Sequence, residues 1–238
     1  MRAIKPFARF LAMVLRVLAA LVVAAVLNPN TALAAASGQP VTPVNMSVEG
    51  GETKVFSARF MNGNGMPAAG ETVTWGNDVC GTFPNAASLA TSVTDATGLA
   101  TIAFTAAPSA GITCWLTAVA GPAAVTFNVV TYRMSQVSIV VEDVGVFFDP
   151  NGSNELRASV RLGQTPLREV EVSGRIVPGA APVAELLPVA PASTGQSGHV
   201  TYQLRPPIGA VGDYELEFAF RGLTKRTTIH RGAGNAAV

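Results

Sequence analysis

Beyond residue 34 the chain repeatedly places apolar side chains on alternate positions: Phe56, Ala58 and Phe60; Ala100, Ile102 and Phe104; Cys114, Leu116 and Ala118. A period of two belongs to a β-strand with one buried face, so each trio predicts a short strand. A shift of 100 residues lays the same pattern on Leu156, Ala158 and Val160, then on Val200, Tyr202 and Leu204, then on Tyr214, Leu216 and Phe218. Gly98 falls on Gly198 in the same alignment. The turn-rich stretch "NGNGMPAAGETVTW" (62–75) has a counterpart in "LGQTPLREVEVSG" (162–174), and Pro67 meets Pro166 after a one-residue shift. Both stretches are turn chemistry running into a strand.

The chain is therefore read as all-β, with two tandem immunoglobulin-like antiparallel β-sandwich domains. Short strands rich in Val, Thr and Phe alternate with Gly, Pro and Asn, and no long stretch of helical periodicity follows residue 34. The expected domains are residues 38–131 and 135–232, followed by a tail, 233–238, with the boundary in "TYRMSQ" (131–136). A linker this short predicts beads in line with limited bending.

Three motifs of the first half carry a resemblance: "NGNGMPAAGETVTW", "TDATGLATIAFT" (94–105) and "ITCWLTAVAG" (112–121). Together they resemble the bacterial immunoglobulin-like repeats of the invasin and intimin type, in which a "G.P..G..VT" turn and strand precede a "TDA.G.A" turn and strand. The resemblance covers residues 40–130 well and 134–232 loosely. In the second half Gly195 replaces the acidic turn residue and Glu169 stands in the place of Gly70. That half is a divergent relative or a different sandwich of similar outline. The resemblance implies spacer and adhesive modules at a cell surface.

The N-terminus reads as an address. Arg2, Lys5, Arg9 and Arg16 precede or flank the apolar run "VLAALVVAAVL" (17–27), and "NPNTALA" ends in the small-residue pattern of a signal-peptidase site. Cleavage is expected after Ala34, making residues 1–34 a signal peptide. The apolar run is shorter than the ~20 residues of a membrane span, so no transmembrane segment is expected after its removal. Processing also changes the charge: Lys plus Arg fall from 16 to 12 against 15 Asp plus Glu, a net of −3. A nucleic-acid binder needs the opposite balance and is excluded.

Export gives the cysteines a meaning. Cys80 and Cys114 are an even pair in an oxidising compartment, and both histidines, His199 and His230, lie in the other half, so a disulfide is expected rather than a thiol or metal site.

Candidate chemistry is sparse. Asp149, Asn151, Ser153 and Glu155 alternate in "DPNGSNE" as oxygen ligands around calcium do, but Asn154 and Val160 occupy the Gly and Glu positions of an EF-hand loop. A solvated turn accounts for the same residues. The proline-rich stretch "PGAAPVAELLPVAPAS" (178–193) is barred from a central strand and reads either as a long surface loop, with Leu186, Leu187 and Val189 as candidate docking residues, or as a padded connection whose leucines fold back on the sandwich. Trp75 and Trp115 are platforms for a sugar ring if exposed; beside an inter-strand disulfide they are read as core. Lys225, Arg226, His230 and Arg231 form a small basic cluster read as a solvated strand edge. No "GxSxG" elbow or "HExxH" motif occurs in the sequence.

The expectation is an exported, non-enzymatic adhesion or interaction module without a cofactor, periplasmic, extracellular or on the cell surface, whose partner is a protein or an envelope polymer. The alternatives are a polysaccharide-binding accessory protein and a periplasmic assembly factor that uses an open sheet edge.

Overall fold

The computed structural model describes residues 34–78, 80–109, 111–146, 154–179, 184–207, 210 and 212–231. Residues 1–33 of the expected signal peptide, the C-terminal tail and most of the "DPNGSNE" loop lie outside these residues. Two β-sandwiches follow one another along the chain, each around its own core.

In the first sandwich, one sheet holds β1 (Ala35–Pro40), β3 (Thr53–Asn62), β7 (Leu99–Ala106) and β5 (Gly81–Thr82), in that order. The facing sheet runs β2 (Asn45–Glu49), β9 (Ala123–Tyr132), β8 (Thr113–Ala120), β4 (Thr72–Asn77) and β6 (Leu89–Val93). The inward positions of β3, β7 and β8 are those the alternation assigns: Phe56, Ala58, Phe60, Ala100, Phe104, Leu116 and Ala118 are fully buried. Phe127 is the hub between the sheets, edge-on to Phe56 and stacked against Trp75.

The second sandwich repeats the strand order. One sheet is β10 (Val137–Val146), β11 (Asn154–Leu162), β16 (Val200–Arg205) and β14 (Glu185–Leu187), with the short β12 (Thr165–Pro166) beside β11. The other is β15 (Ala192–Ser193), β13 (Glu171–Ile176), β17 (Gly212–Phe220) and β18 (Leu223–Arg231). Leu156, Ala158, Val160, Tyr202, Tyr214, Leu216 and Phe218 are fully buried, so the offset of 100 residues in the sequence is an offset in structure as well. The two sandwiches differ at the N-terminal strand. The first sandwich splits it between its two sheets: β1 pairs antiparallel with β3, and β2 then pairs parallel with β9. In the second sandwich the single strand β10 pairs antiparallel with β11 along its length.

A buried corner repeats along with the strands. The hydroxyl of Thr94 donates to the carbonyl of Ala68 (2.5 Å) and accepts from the Glu71 amide (2.8 Å). One period later, Thr194 donates to Leu167 (2.9 Å) and accepts from the Val170 amide (3.3 Å). Both threonines are buried, so each hydroxyl satisfies two backbone groups that water cannot reach. Pro67 and Pro166 sit opposite these corners, bridging Met61 and Arg161 respectively.

The junction is tight. β9 runs through Tyr132, whose ring is buried in the second core 6.0 Å from Phe220, and one short helical turn, Met134–Gln136, precedes β10. The Ser47 amide donates to the Arg168 carbonyl (3.1 Å), and the Arg168 amide returns a bond to the Ser47 hydroxyl (2.9 Å). Arg221 reaches back from the β17–β18 turn to the carboxylates of Glu49 and Glu52.

The proline-rich stretch is not one long loop. Its centre, Glu185–Leu187, is an edge strand on β16, and Leu186 pairs with Leu204 and is buried in the second core. Prolines are compatible with an edge position, where one side of the strand needs no ladder partner. Leu187 is half-buried, and of the three candidate docking residues only Val189 is exposed.

Candidate functional site

Among the described residues no group of three metal-ligating side chains converges. Of the calcium candidates, only Glu155 has a described side chain; it lies on β11 with its carboxylate 3.9 Å from Arg157. Asp149, Asn151 and Ser153 lie outside the described residues.

Asp95 is a turn residue. Its carboxylate accepts from the Thr97 amide and hydroxyl, both at 2.7 Å, and from the Leu99 amide at 3.0 Å. These bonds, led by the Thr97 hydroxyl, hold its pKa below the ordinary 3.8. Two members of the basic cluster near the C-terminus, Arg226 and His230, have acidic partners. Arg226 bonds Glu217 (2.9 Å) and Glu215 (3.2 Å), Arg175 bonds Glu217 from the neighbouring strand, and His230 lies 2.8 Å from Asp213. The hydrogen bonds from Arg175 and Arg226 lower the Glu217 pKa from its ordinary 4.5.

The cleft between the sandwiches, about 560 Å³, is also spoken for. Ser47, Lys54, Tyr132, Glu169, Glu171 and Arg221 line it, yet Lys54 pairs with Glu52 at 2.9 Å and Arg221 with Glu49 and Glu52. Burial opposes ionisation of Glu52, but the Lys54 hydrogen bond and the Arg221 charge outweigh it and leave the pKa lowered.

Glu52, Asp95 and Glu217 therefore make one pH prediction. A carboxylate whose folded-state pKa is depressed contributes stability above its unfolded pKa and loses it as pH falls through the folded value. Urea midpoints are expected to stay level from pH 7 to about 5 and to fall below about pH 4.5. A midpoint that rises on acidification would contradict these assignments.

What remains unspent is a surface. Across β6, β4, β8 and the first half of β9 the outward positions are Leu89, Thr91 and Val93 on β6, Thr72, Thr74 and Gly76 on β4, Thr113, Trp115, Thr117 and Val119 on β8, and Ala124, Thr126 and Asn128 on β9. None of these side chains is charged; on β2 the same face carries Asn45, Ser47 and Glu49, whose carboxylate is held by Arg221. Trp115 is 54% exposed, which corrects the expectation that both tryptophans are core: Trp75 is fully buried and donates its indole N–H to Ser92 (2.9 Å). The period of two decides the matter, because Cys114 and Leu116 point inward and the residue between them must point out.

Trp115 stands opposite Asn128 in the β8–β9 register, and Asn128 stands beside Asn45 in the β9–β2 register. The Asn128 amide donates to Asn45 Oδ1 (3.3 Å), and Asn45 Nδ2 donates to Gln196 Oε1 (2.8 Å). Gln196 Nε2 then donates to the Asn45 carbonyl (3.0 Å) and to Glu169 Oε1 (2.8 Å). This row runs from the indole across the sheet into the second sandwich. Asn128 Oδ1 is enclosed and has no hydrogen-bond partner among the described residues. Sequence reading reached Trp115 but not the amides, which come together from positions as distant as Asn45 and Gln196.

No family model matches the chain, and no curated relative matches it. Among solved structures, the adhesin InvE of Yersinia pseudotuberculosis aligns at 20% identity and a TM-score of 0.38, covering 82% of this chain and 58% of its own. The D0-D1 domain of intimin aligns at 13% identity and a TM-score of 0.37, covering 82% of this chain and 98% of that one. The Escherichia coli adhesin FdeC aligns at 13% identity and a TM-score of 0.34, covering 81% of this chain and 63% of its own. This chain thus spans less than two thirds of the InvE and FdeC chains it matches. Among the described residues, no helix is long and apolar enough to cross a membrane.

Proposed function

We propose that the protein is an exported, non-enzymatic adhesion or interaction module that presents the outer face of the β2–β9–β8–β4–β6 sheet to its partner. The observation that carries this reading is the uncharged face around Trp115, on a scaffold whose charged side chains are largely paired into turns, clamps and the junction. A large exposed aromatic on a rigid sheet is a common anchor for recognition.

Export is supported at the N-terminus. The first strand begins at Ala35, the residue after the expected cleavage point, so removal of residues 1–34 leaves every described strand whole. The Ala35 nitrogen lies 3.4 Å from Glu71 Oε1, where cleavage would set a terminal ammonium against a carboxylate.

Cell fractionation, N-terminal sequencing and crosslinking mass spectrometry on the native envelope test the proposal together. The expected outcome is a chain that starts at Ala35 in an envelope or extracellular fraction, with crosslinks mapping to the flanks of the Trp115 face. A chain that keeps Met1 in the cytoplasm, or crosslinks confined to the second sandwich, would overturn it.

A further inference from the structure

The outer face has a chemistry of its own, and we propose that Trp115, Asn128 and Asn45 form a binding track for a neutral oligosaccharide. This inference rests on the reading of that face as the interaction surface and names its ligand class. A pyranose ring offers an apolar C–H face and a rim of hydroxyls, each both donor and acceptor. An exposed indole accepts the first by stacking, and carboxamides, with two N–H groups and a carbonyl each, accept the second.

The distances suit a chain rather than a single ring. Trp115, Asn128 and Asn45 lie on three adjacent strands, and two strand spacings are roughly 10 Å. The amides are held but not used up. Asn128 spends one of its two side-chain N–H groups on Asn45, and its oxygen is enclosed and out of a ligand's reach; Asn45 spends one of its two side-chain N–H groups on Gln196 and accepts one bond. Gln196 accepts twice and donates twice within the protein, so it is a positioning residue that fixes Asn45 from the second sandwich.

Charge selects the class. The outward positions around Trp115 carry no cation, and the far end of the row is the Glu169 carboxylate. An anionic sugar would find no counter-charge there and one repulsion, whereas a neutral hydroxyl meets an acceptor.

The test titrates residues 35–238, with the disulfide intact, against neutral hexasaccharides of β-1,4-glucose, β-1,4-N-acetylglucosamine and α-1,4-glucose, with polygalacturonate as the charged counterpart. Tryptophan emission and calorimetry are the readouts. At least one neutral probe is expected to bind and to perturb the Trp115 emission. Affinity is expected to fall at least about tenfold in Trp115→Ala and about threefold in Asn45→Ala, while Trp115→Phe retains most of it. Trp115 is exposed, so unchanged thermal unfolding of its variants keeps the test separate from folding. Absence of binding by every neutral probe at millimolar concentration, unchanged affinity in Trp115→Ala, or equal binding of polygalacturonate overturns the inference. Envelope crosslinks at the Trp115 face without glycan binding would sink the glycan and leave the interaction module standing; crosslinks elsewhere would sink both.

Discussion

Replacing both half-cystines, Cys80→Ala with Cys114→Ala, is expected to destabilise the first sandwich by about 3–4 kcal/mol, because the bridge closes a loop of 34 residues in the unfolded chain. The bond joins the two sheets: Cys80 leads into β5 at the edge of one, and Cys114 lies on β8 within the other, with their Cα atoms 5.9 Å apart. Both residues are buried, so the double alanine variant avoids leaving an unpaired thiol in the core. The expected readout is a lower urea midpoint in tryptophan emission, since both tryptophans belong to this sandwich. The second sandwich has its own core and is expected to unfold at an unchanged midpoint. A shift below about 1 kcal/mol would mean that the unfolded first half is already compact without the bridge.

Gly98→Ala is expected to cost about 3 kcal/mol, and more than the same change at Gly198. Gly98 has φ +74°, a conformation that costs other residues roughly 1–2 kcal/mol. A Cβ there would also sit 2.3 Å from the Phe60 carbonyl oxygen. That oxygen accepts from the Ala68 amide, and the Phe60 amide donates to Gly98, so relief of the clash strains bonds worth about 1 kcal/mol each. At Gly198, with φ +80°, the nearest obstacle is Pro166 Cβ at 2.7 Å, a rigid ring carbon but a less severe approach than 2.3 Å, and one that engages no hydrogen-bonding group. Separate thermal unfolding of the two variants, followed by tryptophan emission for the first sandwich and by circular dichroism for the second, compares them. Equal costs at the two sites would show that the left-handed backbone, not the close approach, dominates.

These two positions mark how far the sequence could be read. The trios at Phe56, Ala100 and Cys114 and their partners a period later are visible because a strand buried on one face must alternate. That requirement is local and leaves its mark on every copy. The expectation for Trp115 failed where a residue-type habit was set against that alternation. Thr94 and Thr194 were within reach of the same alignment, as buried hydroxyls one period apart, but a threonine beside a turn looks like any solvated loop residue. The folding back of Leu186 onto the sandwich is one of two readings of its stretch, but the edge strand that carries it is not legible there, because the prolines speak only against a central strand and the pairing with Leu204 depends on a distant segment.

By itself, the order of residues determined the all-β class, the twofold repeat, the buried face of six strands and the pairing of the only two cysteines. Each follows from a short-range rule: period, turn chemistry or the arithmetic of an even pair. The tertiary structure decided what depends on distant segments meeting: the parallel β2 on β9, the Arg221 clasp on Glu49 and Glu52, and the row from Trp115 through Asn128 and Asn45 to Gln196. No pattern within one segment encodes those contacts. They arise because each sheet edge, carboxylate and amide is satisfied by whatever the folded chain brings beside it.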